Sequence, residues 1–485
     1  MVNTLAGFGR TWSVQHRGGR TGLECASDST SAGAIMSEAR ISSGSLEAVR
    51  VRELDRYAAS RPLGQHALQR ARAHMPKGVP MAWMSSLYGH PPPFVRAGVG
   101  VRFTDLDGYS YVDFNLADTS MFAGYGVAPI TEAVTNRFAG GPHFLLPTVD
   151  SITVAEELCA RWAMPYWQFT LSATQANTEA IRICRAITGR DRVLMFDGKY
   201  HGHADEFLGA VDESGNVVPE GRGIVSDATR HVTIVPYNDL GATDRQLQRG
   251  EFACVVVEPA ITNAGVILPK PSFHAELRRL VSDVGALLIV DETHTLVCGP
   301  GGLTRQWGLH PDVVVLGKSI SGGLPLGAYG MTERVAESLE DPSGGWADTI
   351  ATGGTLFANA LSMAAARVAL QQVLTPGAYR HAAALGGRLA DGIESTATEL
   401  GLDWRAHRLF NRSGYTHGPD LPRSAADARN NFDASLFNTQ RVYMANRGIW
   451  EAIESAGPAA GIRSTDADVD RYVNVLHDFL SEVVH

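Results

Sequence analysis

The sequence predicts an α/β fold, with a mainly parallel mixed sheet sandwiched by helices in a large domain and a smaller α+β domain built from the N- and C-terminal segments. Three observations predict it. Between residues 150 and 331, short apolar runs at 193–196, 232–235, 254–257, 287–290 and 313–316 alternate with helical patterns, as in strands buried on both faces. After Thr355 helical patterns dominate, at 360–373, 377–400 and 466–484, broken by an irregular stretch at 405–432. The 485 residues, 44% hydrophobic and 19% charged with 51 Gly, suit a folded, loop-rich protein of two to three domains.

Taken in order, residues 1–35 carry Arg10, Arg17 and Arg20 in a Gly/Ser/Thr-rich tract without the continuous apolar run of a secretory signal, and are expected to be a disordered extension. Residues 36–115 are expected to pack with the small domain. Leu46, Val49, Leu54, Tyr57, Leu63 and Leu68 predict short amphipathic helices, and the alternation over 99–115 around Asp107-Gly108 predicts a hairpin. Residues 116–358 form the large domain and 359–485 the C-terminal small domain. There is no internal repeat.

With 51 acidic against 42 basic residues, the net charge of −9 argues against nucleic acid as a partner. The cysteines Cys25, Cys159, Cys184, Cys254 and Cys298 are scattered without a C-x-x-C pair, so neither a disulfide framework nor a zinc site is signalled and a cytoplasmic setting is expected. No apolar run nears the roughly 18 residues of a membrane span. His201, His203, His231 and His294 show no metal-binding spacing, so no metal is expected.

The chemistry gathers at strand ends. The run 313–316 leads through Gly317 into Lys318 and a glycine-rich loop at 321–327, and the carboxyl ends of parallel strands are where such sheets bind ligands. A nucleotide-binding P-loop would need glycine at position 312, which is Asp312. Two readings then remain for Lys318: a Schiff-base lysine near a cofactor aldehyde, or a surface-seeking lysine at a strand end. The apolar run 287–290 ends in Asp291, 27 residues earlier, where a fixed carboxylate would keep a pyridine nitrogen protonated. Residues 172–180 lead into a helix whose start suits a phosphate, Tyr200 could cover a planar ring, and Glu258-Pro259 follows the run 254–257.

The ordered set of Thr178-Glu179-Ala180, the run Tyr200-His201-Gly202-His203-Ala204-Asp205, Glu258-Pro259 with Asn263 and Gly265, Asp291-Glu292, Lys318, and Gly354-Thr355-Leu356 with Asn359 resembles the class III (ω-type) aminotransferases of pyridoxal phosphate fold type I. Within them it is most similar to glutamate-1-semialdehyde aminomutase and its β-amino-acid transaminase relatives, from about Gly78 onward. The resemblance implies pyridoxal 5'-phosphate as cofactor, with Lys318 bonded to its aldehyde, Asp291 on its ring nitrogen and Tyr200 stacked on its ring. It places Ala176, Asn177 and Thr178 at the phosphate, and His201, Glu258, Asn263 and His294 around the cofactor. It also implies a homodimer in which Thr355 reaches the neighbouring subunit's phosphate.

There are departures from the family pattern. The usual Ser-Gly-Thr is read here as Ala176-Asn177-Thr178, and the Pro-Val-Arg whose arginine binds substrate carboxylate in the aminomutases is replaced after Gly78-Val79 by Met81-Ala82-Trp83-Met84. Arg412 and Arg423, in the irregular stretch, are expected either to take that carboxylate or to be solvated surface arginines. Trp83, Tyr88, Phe122 and Tyr125 are expected to line an apolar substrate pocket or to pack in the core. The expected reaction is ping-pong transfer of an amino group from an amine, β-amino acid or amino acid donor to a keto acid acceptor. The alternative is intramolecular transfer of the aminomutase type.

Overall fold

In the computed structural model, residues 40–340, 349–453 and 457–485 are described, so the extension expected at 1–35 lies outside the described residues. The first helix among the described residues is Ser43–Ala59, capped by Ser42, whose hydroxyl accepts from the Ser45 N–H at 3.2 Å. Its buried face holds Leu46, Val49, Glu53 and Tyr57. Strands β1 (Val95–Val99), β2 (Arg102–Asp105) and β3 (Ser110–Asp113) then form an antiparallel meander, turned at Asp107-Gly108 where Gly108 has φ +88°. Glycine reaches that angle without steric penalty.

The remaining strands are β4 (Tyr166–Thr170), β5 (Arg192–Phe196), a hairpin of β6 (Gly209–Val211) and β7 (Val217–Pro219), β8 (Val232–Val235), β9 (Phe252–Val257), β10 (Leu287–Asp291), β11 (Val313–Leu316) and β12 (Gly327–Met331). A pair of β13 (Arg405–Ala406) and β14 (Tyr415–Thr416), then β15 (Ile449–Trp450), complete the list. The central sheet has the order β4-β12-β11-β10-β9-β5-β8, and β12 alone runs against its neighbours. Asp291 pairs in register with Val315, so the ends of β10 and β11 open on the same edge and bring Asp291 and Lys318 to one place.

The two faces of the sheet bury different sets. Val193, Met195, Val313 and Val315 pack under the helix Ala173–Thr188, while Leu194, Val255, Val257 and Val290 pack against the helix Phe273–Asp283. Each fully buried Val or Leu side chain contributes about 1.5–3 kcal/mol, which makes this sheet the rigid platform of the site.

The segment from residue 40 onward meets the C-terminal residues. β15 pairs in parallel with β3, the Ser42 N–H donates to the Val483 carbonyl at 2.8 Å, and the helix Ser43–Ala59 packs on Ala434–Ala445 and Asp466–Val483. Buried Glu53 is satisfied there by Arg447, Arg52 and the Asn446 amide. The expected helices are present as Ala360–Val368, extended by a π-helical turn Ala369–Val373, as Pro376–Glu399 and as Asp466–Val483. Among the described residues no helix is long and apolar enough to cross a membrane.

Candidate active site

A cavity of about 310 Å³ opens at the carboxyl edge of β10 and β11, lined by Lys318, Asp291, Tyr200, His201, residues 172–174 and the loop 323–326 among others. Lys318 enters it from a left-handed backbone (φ +48°) at the start of a 3₁₀ turn, Lys318–Ser321. Its Nζ donates to the Asp118 main-chain carbonyl at 2.9 Å and to the Asp118 carboxylate.

Asp291 lies across the cavity, with 2% of its surface exposed. Burial works to raise its pKa, but the hydrogen bonds of His201, the Thr293 N–H and the Asn177 amide hold it below the ordinary value. His201 Nδ1 lies 2.9 Å and Asn177 Nδ2 2.8 Å from Asp291 Oδ2, and the Thr293 N–H donates to Oδ1 at 3.0 Å. The result is a fixed anion facing the cavity, the chemistry a protonated ring nitrogen requires. Tyr200 is half-buried above it, its hydroxyl pushed up to about 12 by burial and nearby carboxylates.

A second polar group backs the first. The Glu258 carboxylate accepts from the Tyr200 N–H at 3.0 Å and from the Thr262 hydroxyl at 2.9 Å, and burial raises its pKa to about 7. Thr262 also meets His294 Nδ1 at 2.7 Å, and His294 is kept neutral by burial and the Lys318 charge, which lower its pKa to about 3. The fully buried Arg412 guanidinium donates to the His294 carbonyl at 3.3 Å and lies close enough to Asp118 and Glu258 to sense their charge. Arg423, the other expected carboxylate binder, is exposed.

The three residues expected at the phosphate point away from the cavity. Asn177 donates to Asp291 and to the His201 carbonyl (3.0 Å), and the Thr178 hydroxyl donates back to the Thr174 carbonyl at 2.9 Å, while Ala176 is fully buried. None of the three lines the cavity; residues 172–174 do. The first-turn N–H groups of Ala173 and Thr174 have no carbonyl of their own helix to reach, which makes this the anion-facing end. Gly202 brings the Tyr200–His203 loop onto it. At φ +117° a Cβ there would sit 2.3 Å from Thr174 Oγ1 and 2.7 Å from its Cα.

Other expected residues fall elsewhere. Phe122 is fully buried against Tyr379, and the Tyr125 hydroxyl donates to Asp113 at 2.7 Å. Tyr88 packs on His90 and Trp450 beneath the Arg441 guanidinium; Phe122 is therefore core, Tyr88 and Tyr125 are half-buried, and none of the three is among the cavity's lining residues. Trp83 is half-buried in the 3₁₀ turn Ala82–Ser86 and Asn263 half-buried after β9, neither among the cavity's lining residues. Thr355 is exposed, on a strand of chain tied down by the Gly353 N–H donating to buried Glu179 at 2.6 Å. Asp118 and Thr262 carried no motif.

Residues 84–401 match the class III aminotransferase family. The chain belongs to that family. It is 34% identical over 382 residues to the glutamate-1-semialdehyde 2,1-aminomutase of Anaeromyxobacter dehalogenans, covering 76% of this chain and 86% of the relative. It is 33% identical to that of Desulfitobacterium hafniense, covering 86% and 98%. A crystal structure of a glutamate-1-semialdehyde-aminomutase from Pseudomonas aeruginosa superposes with TM-score 0.87 at 35% identity, over 91% of this chain and 99% of that one. A β-phenylalanine aminotransferase from Variovorax paradoxus reaches 0.80 at 27% identity, over 90% and 97%. The fold is therefore that of the pyridoxal phosphate fold type I aminotransferases, and the class III aminotransferase described here is an aminotransferase or a related aminomutase. Its cofactor is pyridoxal 5'-phosphate, as the Pseudomonas structure in complex with PMP also indicates. The cavity suits that group in its own terms. His201 Nε2 and Thr293 Oγ1 are buried polar atoms with no hydrogen-bond partner among the described residues, and both residues line the cavity that a polar ring and phosphate would fill.

Proposed function

We propose that the chain moves an amino group between neighbouring carbons of one carboxylated small molecule, as glutamate-1-semialdehyde 2,1-aminomutases do by name. The observation that carries this is the identity of 33–35% with such aminomutases along most of both chains. It favours the intramolecular reaction over the expected transfer to a separate keto acid. The test is turnover of glutamate 1-semialdehyde by the purified enzyme with no keto acid added. Conversion without an acceptor supports the reading, and conversion only with added pyruvate or 2-oxoglutarate overturns it. Transamination is kept as a second reading on one specific observation. The segment after Gly78-Val79 carries Met81 to Met84 and no arginine, which leaves the buried Arg412, close enough to Asp118 and Glu258 to sense their charge, as the arginine for a substrate carboxylate.

Bound pyridoxal phosphate supplies an aldehyde and a ring that draws electrons from the substrate carbon. In the reading proposed here Lys318 would hold that aldehyde, and its amine is the group placed to move protons at the substrate carbon as base and acid. Asp291 keeps the ring nitrogen protonated, with His201 and Asn177 holding its carboxylate in line. Tyr200 covers the ring, Glu258 and Thr262 fix the loop that presents it, and the helix start at residues 172–174 binds the phosphate. Arg412 attracts the substrate carboxylate. Leu145, Leu146, Val149 and Ile152 are exposed beside a groove lined by Trp167, Phe357 and Ala358, an apolar patch of the kind that marks an interaction surface. We infer that a second copy covers this face, which continues toward Thr355. The free thiols of Cys159, Cys184, Cys254 and Cys298 support a reducing, cytoplasmic setting.

A further inference from the structure

Lys318 is held by a residue that no motif marked. Residues 116–119 form one turn of left-handed backbone, with φ of +51°, +47°, +55° and +67° at Leu116, Ala117, Asp118 and Thr119, none of them glycine. Such residues cost about 1–3 kcal/mol each unless their surroundings over-determine them. Here they do. The Asp113 carboxylate accepts from the Asn115 and Leu116 N–H groups at 2.9 Å each and from the Tyr125 hydroxyl, and the Thr119 N–H closes the turn on the Asn115 carbonyl at 3.0 Å. The turn aims both acceptors of Asp118, its main-chain carbonyl and its carboxylate, at the single nitrogen of Lys318, itself in left-handed backbone. Asp118 Oδ1 and Thr119 Oγ1 are buried with no hydrogen-bond partner among the described residues.

We propose that Asp118 is a positioning residue for Lys318: its two oxygens receive the lysine as an ammonium whenever its nitrogen is not bonded to the cofactor, and its charge keeps the lysine-bound nitrogen protonated. This rests on Lys318 being the lysine that holds the cofactor. The strained turn makes sense on these terms, because a carboxylate offered from a right-handed helix or a strand would not bring its own carbonyl to the same atom. The charged and titratable groups that face Asp118 are Lys318 from the end of β11, His294 beyond β10, Arg412 from the C-terminal segment, Tyr200 beyond β5, and Tyr88 from the segment before β1. The His294 pKa of about 3 keeps that ring neutral, and Arg412 does not titrate near neutral pH, so neither produces a proton-linked transition in the accessible range. A carboxylate beside a cation raises its proton affinity by about 1–3 pH units.

The experiment uses the enzyme loaded with pyridoxal phosphate and follows its visible absorbance across neutral and alkaline pH. Asp118→Asn, whose side chain tolerates left-handed backbone, is expected to lower the midpoint of the band transition by about one unit or more, a tenfold weaker hold on the proton. Asp118→Glu is expected to stay closer to wild type. If the Asn variant does not fold, Asp118→Gly removes the carboxylate at an angle natural to glycine and should give the same fall. An unchanged midpoint in the folded Asn or Gly variant overturns the proposal. A Lys318→Ala control separates it from the reading beneath it: if the titrating band survives there, Lys318 is not the cofactor lysine, whereas if the band is lost there but unmoved in the Asp118 variants, only the role of Asp118 falls.

Discussion

Asn177 is the residue whose expected and observed surroundings differ most, and replacing it by alanine tells the two apart. Its amide donates to the Asp291 carboxylate at 2.8 Å and to the His201 carbonyl at 3.0 Å, both buried. A hydrogen bond to a charged acceptor is worth about 1.5–3 kcal/mol and a neutral one about 0.5–1.5, so Asn177→Ala should destabilise the cofactor-free chain by about 2–4 kcal/mol. Because those bonds serve the ring end of the site, the variant should weaken pyridoxal phosphate and unphosphorylated pyridoxal alike. Thr174→Val acts at the other end. It removes a hydroxyl that lines the cavity at the helix start, and should cut the preference for the phosphorylated form by about tenfold, or about 1.4 kcal/mol, while sparing most of the affinity for pyridoxal. Equilibrium absorbance titrations of wild type and both variants with the two ligands give the two ratios. A collapsed preference in Asn177→Ala with an unchanged one in Thr174→Val would return the phosphate to residues 176–178 and refute the reasoning.

Other outcomes follow from the same geometry. The Glu258 carboxyl, raised by burial to about 7 from 4.5, holds its proton more tightly in the folded chain, so its contribution is fully present below 4.5 and is lost, up to about 3 kcal/mol, as pH rises to about 7. Thermal midpoints of the cofactor-free chain over that window should fall less with pH in Glu258→Gln than in wild type; equal slopes would contradict it. Arg412→Gln should raise KM for a carboxylated substrate at least tenfold, and Arg423→Gln should leave it within twofold, measured in parallel under initial-rate conditions. Ile152→Lys, which puts a charge on the exposed apolar face, should shift sedimentation toward the monomer, whereas an unaltered assembly would place the contact elsewhere.

Much of this was legible in the sequence, for a physical reason. Strands buried on both faces must be apolar along their length, so a polar residue at the end of such a run stands out, as Asp291 and Lys318 do at the ends of β10 and β11. β12 was not legible, because Gly327–Met331 is short, has glycine or alanine at three of its five positions, and follows a glycine-rich loop. The residues of this helix that line the cavity lie one turn before those expected at the phosphate, although their signal was present. Ser172 with Gln175 three residues on marks a helix start at Ala173, and the observed cap follows it, with the Gln175 N–H donating to the Ser172 hydroxyl at 3.4 Å. Asp118 had no such signal. The left-handed turn that presents it contains neither Gly nor Asn and is imposed from outside by Asp113, Tyr125 and the packing around them. Arg412 was named from the sequence together with Arg423, and only burial against His294 separates them.

The central claim is that Lys318 is the residue bonded to pyridoxal phosphate. The chain has four lysines, Lys77, Lys199, Lys270 and Lys318, and Lys199, next to Tyr200, is the nearest competitor in sequence. Its buried Nζ donates to the Phe207 carbonyl at 2.5 Å and the Gly209 carbonyl at 2.9 Å and pairs with Glu220, which turns it away from the cavity. Borohydride reduction of the loaded enzyme, followed by digestion and peptide mass mapping, fixes the cofactor where it is bound. The cofactor mass on the peptide containing Lys318 is the predicted result, and its appearance on the Lys199 peptide, or on none, would contradict the account.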